Sequence, residues 1–151
     1  MKLPIFGYRG IIMSACTFFG HRHIHENIEP SLKEALTELI ENENVCEFYV
    51  GCEGQFDRTA KNVLLKLKKE YPQIKITVVL AYLNKQYEDL PDSLFPESLE
   101  RVPLRFVIPK RNKWMIDHSD IVITYVRWCY GGAFNASEYA KRKGKTVINL
   151  V

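Results

Sequence analysis

Gly10-Ile11-Ile12-Met13-Ser14-Ala15-Cys16, running into Thr17-Phe18-Phe19-Gly20-His21-Arg22, is the stretch on which the fold turns. Residues 10–16 are nearly continuously apolar, the pattern of a strand covered on both faces in a parallel sheet. Parallel neighbours cannot be joined by tight turns, so the chain must supply helical crossovers. It does so on the C-terminal side. Leu32, Ala35, Leu36, Leu39 and Ile40 recur at helical spacing, with Pro30 near the start where a missing N–H is harmless. Glu47-Phe48-Tyr49-Val50 reads as a second strand ending at Gly51. Phe56, Ala60, Val63, Leu64 and Leu67 mark a second amphipathic helix, closed by Tyr71-Pro72, and Ile74 to Leu80 is a third strand rich in β-branched residues.

Residues 81–109 break this rhythm with four prolines, Pro91, Pro96, Pro103 and Pro109. The expectation is a long irregular connection, serving as a lid or, through Leu94, Phe95, Leu99, Leu104 and Phe106, as a partner surface. From about Lys110 a short helix carries Trp114 and Met115 into a fourth strand, Ile121 to Val126. Gly131-Gly132 opens the last helix, which closes with Lys141, Arg142 and Lys143 at its negative end and Gly144 as a stop. Thr146 to Val151 is the fifth strand. The pattern predicts an α/β fold: a three-layer, doubly wound domain over residues 1–151, with a mainly parallel five-stranded sheet of order 3-2-1-4-5 and a proline-rich insertion at about 81–109.

Composition fits one such unit. At 151 residues, 46% apolar and 26% charged, the chain is an ordinary globule that can bury roughly 68–70% of its unfolded surface without disulfides or a structural metal. Twenty-one Lys and Arg against eighteen Asp and Glu give a net charge of +3, too small and dispersed for autonomous nucleic-acid binding, so any anion bound is expected to be small. Cys16, Cys46, Cys52 and Cys129 show no Cys-x-x-Cys spacing and read as reduced thiols of a cytoplasmic protein. Met13-Ser14-Ala15-Cys16 mimics a lipoprotein lipobox, but Gly7, Arg9 and Gly10 break up the apolar stretch such a signal needs. No run approaches the roughly 20 apolar residues of a membrane span.

In doubly wound sheets ligands bind beyond the carboxyl ends of the strands, where strand order reverses. With order 3-2-1-4-5 the loops at that point are Thr17–Arg22 and Arg127–Gly132. Gly131 and Gly132 precede a helix whose free N–H groups favour an anion, although a tight turn alone would also call for glycine. Arg22 would add a planar fork for phosphate or carboxylate. His21 is expected to hydrogen-bond the same ligand. His21, His23 and His25 alternate, but no carboxylate or cysteine completes a metal set, and no metal is expected. Trp128 or Phe19 could stack on a base or simply serve the core. Asp57, in the first turn after Gly51–Gly54, reads first as a helix cap.

Cys16–Arg22, Tyr49-Val50-Gly51 with Phe56-Asp57, Arg111–Met115 leading to Ser119-Asp120, and Gly131-Gly132-Ala133 with Gly144–Asn149 together resemble the SLOG superfamily, and within it a bacterial YpsA-like group with a Phe-Phe-Gly-His-Arg motif. The resemblance spans roughly residues 11–150. It implies a Rossmann-like fold, a nucleotide or nucleotide-derived ligand, and a homodimer or higher homo-oligomer; the expected role is to sense or sequester that ligand. The candidate ligand-binding positions at the strand ends are Thr17, Phe19, Gly20, His21, Arg22, Gly51, Asp57, Trp128, Gly131, Gly132 and Ala133. Relatives include DprA and the Lonely Guy phosphoribohydrolases, which cut a base from a nucleoside monophosphate with an arginine and a glutamate. The matching positions here are Arg111 and Glu138, which makes an N-glycosidase the alternative activity. Three departures weaken that match: Tyr130, Phe134 and Asn135 stand where the hydrolase motif has proline, glycine and threonine, removing much of its phosphate cradle.

Overall fold

A computed structural model describes residues 14–83 and 92–151. Residues 10–13 of the expected first strand and 84–91 of the expected insertion lie outside the described residues. The elements are β1 (Ser14–Gly20), α1 (Glu29–Asn42), β2 (Val45–Val50), α2 (Gln55–Glu70), β3 (Lys75–Val79), β4 (Ser93–Leu94), a 3-10 turn (Glu97–Leu99), α3 (Leu104–Asp117), β5 (Ile121–Tyr125), α4 (Gly132–Arg142) and β6 (Thr146–Asn149). Every strand pairing is parallel, in the order β4-β3-β2-β1-β5-β6. The expected five-strand order is thus present, and the two-residue β4 adds a sixth strand beyond β3.

Two further segments differ from the sequence reading. Thr17 to Gly20, read as a loop, continue β1 and pair with Val122 to Tyr125 of β5. The reason is that this stretch is buried on both sides. Phe18 packs into the core on the α1/α2 face, Phe19 into the core on the α3/α4 face, and the Thr17 hydroxyl is satisfied by the Tyr49 carbonyl at 2.8 Å. Residues 104–109 are also not irregular, because α3 begins at Leu104 and contains Pro109. A proline there forfeits only its own N–H bond to the carbonyl of Arg105, four residues back and in the first helical turn. Pro103 stands immediately before the helix, in extended conformation.

The amphipathic positions bury as their spacing requires. Leu32, Leu36, Leu39 and Ile40 of α1, and Phe56, Ala60, Val63, Leu64 and Leu67 of α2, close over Cys16, Phe18, Phe48 and Ile123. Met115 and Ile116 of α3, with Ala136 and Ala140 of α4, cover Phe19, Val79 and Val122 on the opposite face. Each fully buried large apolar side chain contributes about 1.5–3 kcal/mol. α1 stops where the Glu43 N–H returns to the Leu39 carbonyl and Asn44 takes a positive φ of 54°. The chain leaves β1 for β2 on one side and later returns to β5 on the other, so the connections that leave the paired carboxyl ends of β1 and β5 diverge and open a crevice.

Candidate functional site

Two helices begin at that crevice in the same way. The residue before α2 is Gly54 (φ 91°, ψ 179°) and the residue before α4 is Gly131 (φ 94°, ψ 174°), and neither helix start carries a side-chain cap. Their surroundings differ. A β-carbon on Gly54 would lie 2.9 Å from the Arg22 Cα, because the loop after β1 is strapped to α2. The Gln55 N–H donates to the Arg22 carbonyl at 2.9 Å, and the Ile24 N–H donates to Gln55 Oε1 at 3.0 Å. At α4 nothing lies within 4 Å of a β-carbon built on Gly131 or Gly132, and the first turn holds no acidic residue. The first amides of α4 therefore open onto free space with the positive end of the helix behind them.

That space is a cleft of about 310 Å³. Its wall takes Gly20, His21 and Arg22 from the end of β1, Glu53 and Asp57 from the start of α2, Arg111 and Asn112 from α3, and Gly132 and Ala133 from α4. Arg22 is exposed, whereas Arg111 is 3% exposed. Arg111 Nη1 donates to the Val79 carbonyl at 3.1 Å and its Nε to Asn112 Oδ1 at 3.0 Å. The Asp57 carboxylate accepts the Glu53 N–H at 2.9 Å. Burial pushes its pKa up to about 6, held back by the nearby Arg111 charge and the Glu53 N–H.

A second network fixes the loop after β5. Arg127 N–H donates to His21 Nε2 at 2.8 Å, so Nε2 is unprotonated and the neutral ring carries its proton on Nδ1. Desolvation, and then the Arg127 charge, lower the His21 pKa. Tyr125 and Arg127 both donate to Glu26, and Asn149 accepts from Thr124 and Val126 while donating back to the Val126 carbonyl.

Of the sequence-marked residues, Phe19, Gly20, His21, Arg22, Asp57, Arg111, Gly132 and Ala133 meet at the cleft. Phe19, 5% exposed, belongs to the core that floors the cleft. Thr17 lies outside, fully buried and bonded to Tyr49. Trp128 also lies outside, stacked on His21 at 5.4 Å, where it borders a separate hollow with His23 and His25. Gly51 is not in the wall but backs Asp57 and Arg111. Gly131 sets the helix start without lining the cleft. Glu138 pairs with Lys141 at 3.6 Å and is not part of the cleft wall that Arg111 lines. Glu53, Ile108 and Asn112 were not marked. The cue for Ile108 and Asn112 was their place one helical turn apart, visible only once α3 is known to start before Pro109. Among the described residues no three His, Cys, Asp or Glu side chains are placed to hold a metal, and no helix is long and apolar enough to cross a membrane.

The sequence profile of the YspA SLOG family (YpsA) matches residues 3–93. The chain belongs to that family. No curated protein sequence matches it significantly. Among solved structures this SLOG chain is similar to DNA processing protein A (DprA) from Streptococcus pneumoniae, with a TM-score of 0.67 and 18% identity over 93% of this chain and 51% of that one. It is also similar to DNA processing protein A from Helicobacter pylori, whose single-stranded DNA binding mode that structure describes, with a TM-score of 0.65 and 16% identity over 90% of this chain and 64% of that one. The SLOG chain thus spans about half to two-thirds of each, and the likeness is one of fold.

Proposed function

We propose that this SLOG protein binds a nucleotide or nucleotide-derived ligand at the carboxyl edge of its sheet, as a sensing or sequestering module. The observation that carries the reading is the convergence of the uncapped α4 amides and the exposed Arg22 on one cleft. A phosphate would take its hydrogen bonds from the Gly132 and Ala133 N–H groups and its counter-charge from Arg22. Asp57, on the opposite wall, is an acceptor for a sugar hydroxyl or a base amine. That one DprA relative binds single-stranded DNA supports a nucleotide-related chemistry for this fold.

Binding without turnover is the better reading than N-glycosidic cleavage by the Arg111–Glu138 pair. Cleavage needs a carboxylate beside the developing oxocarbenium ion. Glu138 is engaged with Lys141 outside the cleft, and Arg111 is engaged by Val79 and Asn112. We further propose that the chain acts as one cytoplasmic domain and self-associates. Native mass spectrometry of the purified protein reads both the co-purifying small molecule and the oligomeric state. Titration with nucleoside monophosphates should show binding that Arg22→Ala abolishes; unchanged affinity in that variant overturns the placement, and release of free base overturns the non-catalytic reading.

A further inference from the structure

We infer that the crevice between α3 and α4 is the base-recognition subsite of the same ligand, taking a flat heteroaromatic ring whose edge presents a hydrogen-bond acceptor. The inference rests on the nucleotide reading above and adds to it where the base goes and what reads it.

The crevice measures about 120 Å³, below the roughly 300 Å³ at which pockets take a whole drug-sized ligand, so it accommodates a fragment. Its walls are largely apolar, with Ile108, the Pro109 ring and Ile116 on the α3 side and Ala136 on the α4 side, and Lys113 and Tyr139 complete the lining. It is continuous with the cleft, because Ile108, Asn112 and Gly132 line both. A ligand with its phosphate on the α4 amides would therefore have to turn only past Gly132 to place a ring between the helices. The absence of a side chain at Gly132 keeps that passage open.

Two carboxamides border the crevice, Asn112 and Asn135. Asn112 has a fixed orientation. Arg111 Nε can only donate, so the atom facing it at 3.0 Å is the Asn112 carbonyl oxygen, and the Nδ2 donors point elsewhere. Asn112 thus offers N–H groups to an acceptor such as a ring nitrogen or exocyclic oxygen. The buried Arg111 acts here as a positioning residue, and Pro109 lies in the same turn of α3 as Asn112. Asn135 is exposed at the mouth. A largely apolar slot with an oriented amide at its rim is the combination that separates a base from a bare sugar phosphate.

The test compares binding of AMP, GMP, CMP and UMP with binding of ribose 5-phosphate, by calorimetry, to wild type and to Asn135→Trp, which fills the mouth from an exposed position. The expected result is that at least one nucleotide binds wild type about tenfold or more tighter than ribose 5-phosphate, and that Asn135→Trp removes this margin while leaving ribose 5-phosphate unchanged. Equal binding of ribose 5-phosphate and every nucleotide to wild type overturns the subsite, as does a margin that survives in Asn135→Trp; in both cases the phosphate site still stands. If neither class binds wild type, the nucleotide reading fails and the subsite with it. An unchanged melting temperature shows that Asn135→Trp is folded; if it is not, Asn112→Ser, which removes the oriented donors, replaces it, and the criterion is then only the margin of nucleotide over ribose 5-phosphate: its loss supports the subsite and its survival overturns it.

Discussion

Gly51 holds open the space that the Asp57 carboxylate occupies. A β-carbon on Gly51 would stand 2.6 Å from Asp57 Oδ2 and 3.3 Å from Arg111 Nη2. The carboxylate cannot swing away freely, because it is held by the Glu53 N–H. Gly51→Ala is therefore expected to destabilise the protein by about 1–3 kcal/mol, the usual cost of forcing atoms into a packed interior. Chemical denaturation measures it, and Gly51→Ala with wild-type stability would mean that the carboxylate moves at no cost.

The same burial sets a pH dependence. The Asp57 pKa is raised from 3.8 to about 6, so between those values the folded protein binds more protons than the unfolded chain. Its contribution to stability is then fully present below about pH 4 and is lost as pH rises through about 6. The ionised form costs up to about 3 kcal/mol above that range. Asp57→Asn retains an oxygen for the Glu53 N–H and removes the charge. It is expected to unfold at a higher temperature than wild type at pH 8, with a smaller advantage at pH 5 and none below pH 4. An advantage independent of pH would show that Asp57 does not titrate in this range.

The doubly wound order was legible because it depends on apolar period alone: the buried faces of α1 and α2 are those that the spacing of Leu32, Leu36, Leu39 and of Phe56, Ala60, Val63 requires. That Arg22, Gly132 and Asp57 would line one cleft was legible because strand ends in such a sheet converge at one edge. What was not legible came from tertiary context. Thr17 and Phe19 look like a loop before a ligand, but the former is tied to Tyr49 and the latter is core. Pro109 looks like a helix breaker, and only the packing of Val107, Arg111 and Met115 around it reveals the helix that carries Asn112. Trp128 looked available to a base, yet its ring lies on His21.

His21 gives the loop after β5 a separate pH response. Its Nε2 accepts the Arg127 N–H, and protonation would turn that acceptor into a donor. The His21 pKa is lowered, so the bond is present above the ordinary histidine pKa and is lost as pH falls through the lowered value. Amide exchange at Arg127 is expected to be slow at pH 7.5, after correction for intrinsic rate, and to quicken below that transition. His21→Ala should exchange fast at both pH values. Protection at Arg127 that persists in His21→Ala would assign it to the Glu26–Tyr125–Arg127 contacts instead.

Gly131 and Gly132, adjacent in sequence, should respond oppositely to substitution. Gly131 sits at φ 94°, ψ 174°, a region essentially reserved for glycine, so Gly131→Val is expected to cost about 1–3 kcal/mol of stability wherever the side chain points. Gly132 begins α4 without a positive φ and has no neighbour within 4 Å of a β-carbon, so Gly132→Val should leave the melting temperature nearly unchanged. Its isopropyl group would instead stand at the cleft wall, where an anion must approach the α4 amides. Binding of a nucleoside monophosphate should therefore fall by tenfold or more, roughly the loss of one charge-assisted hydrogen bond at about 1.5–3 kcal/mol. Retained affinity in a stable Gly132→Val protein would remove α4 from the phosphate site and leave Arg22 alone to hold it.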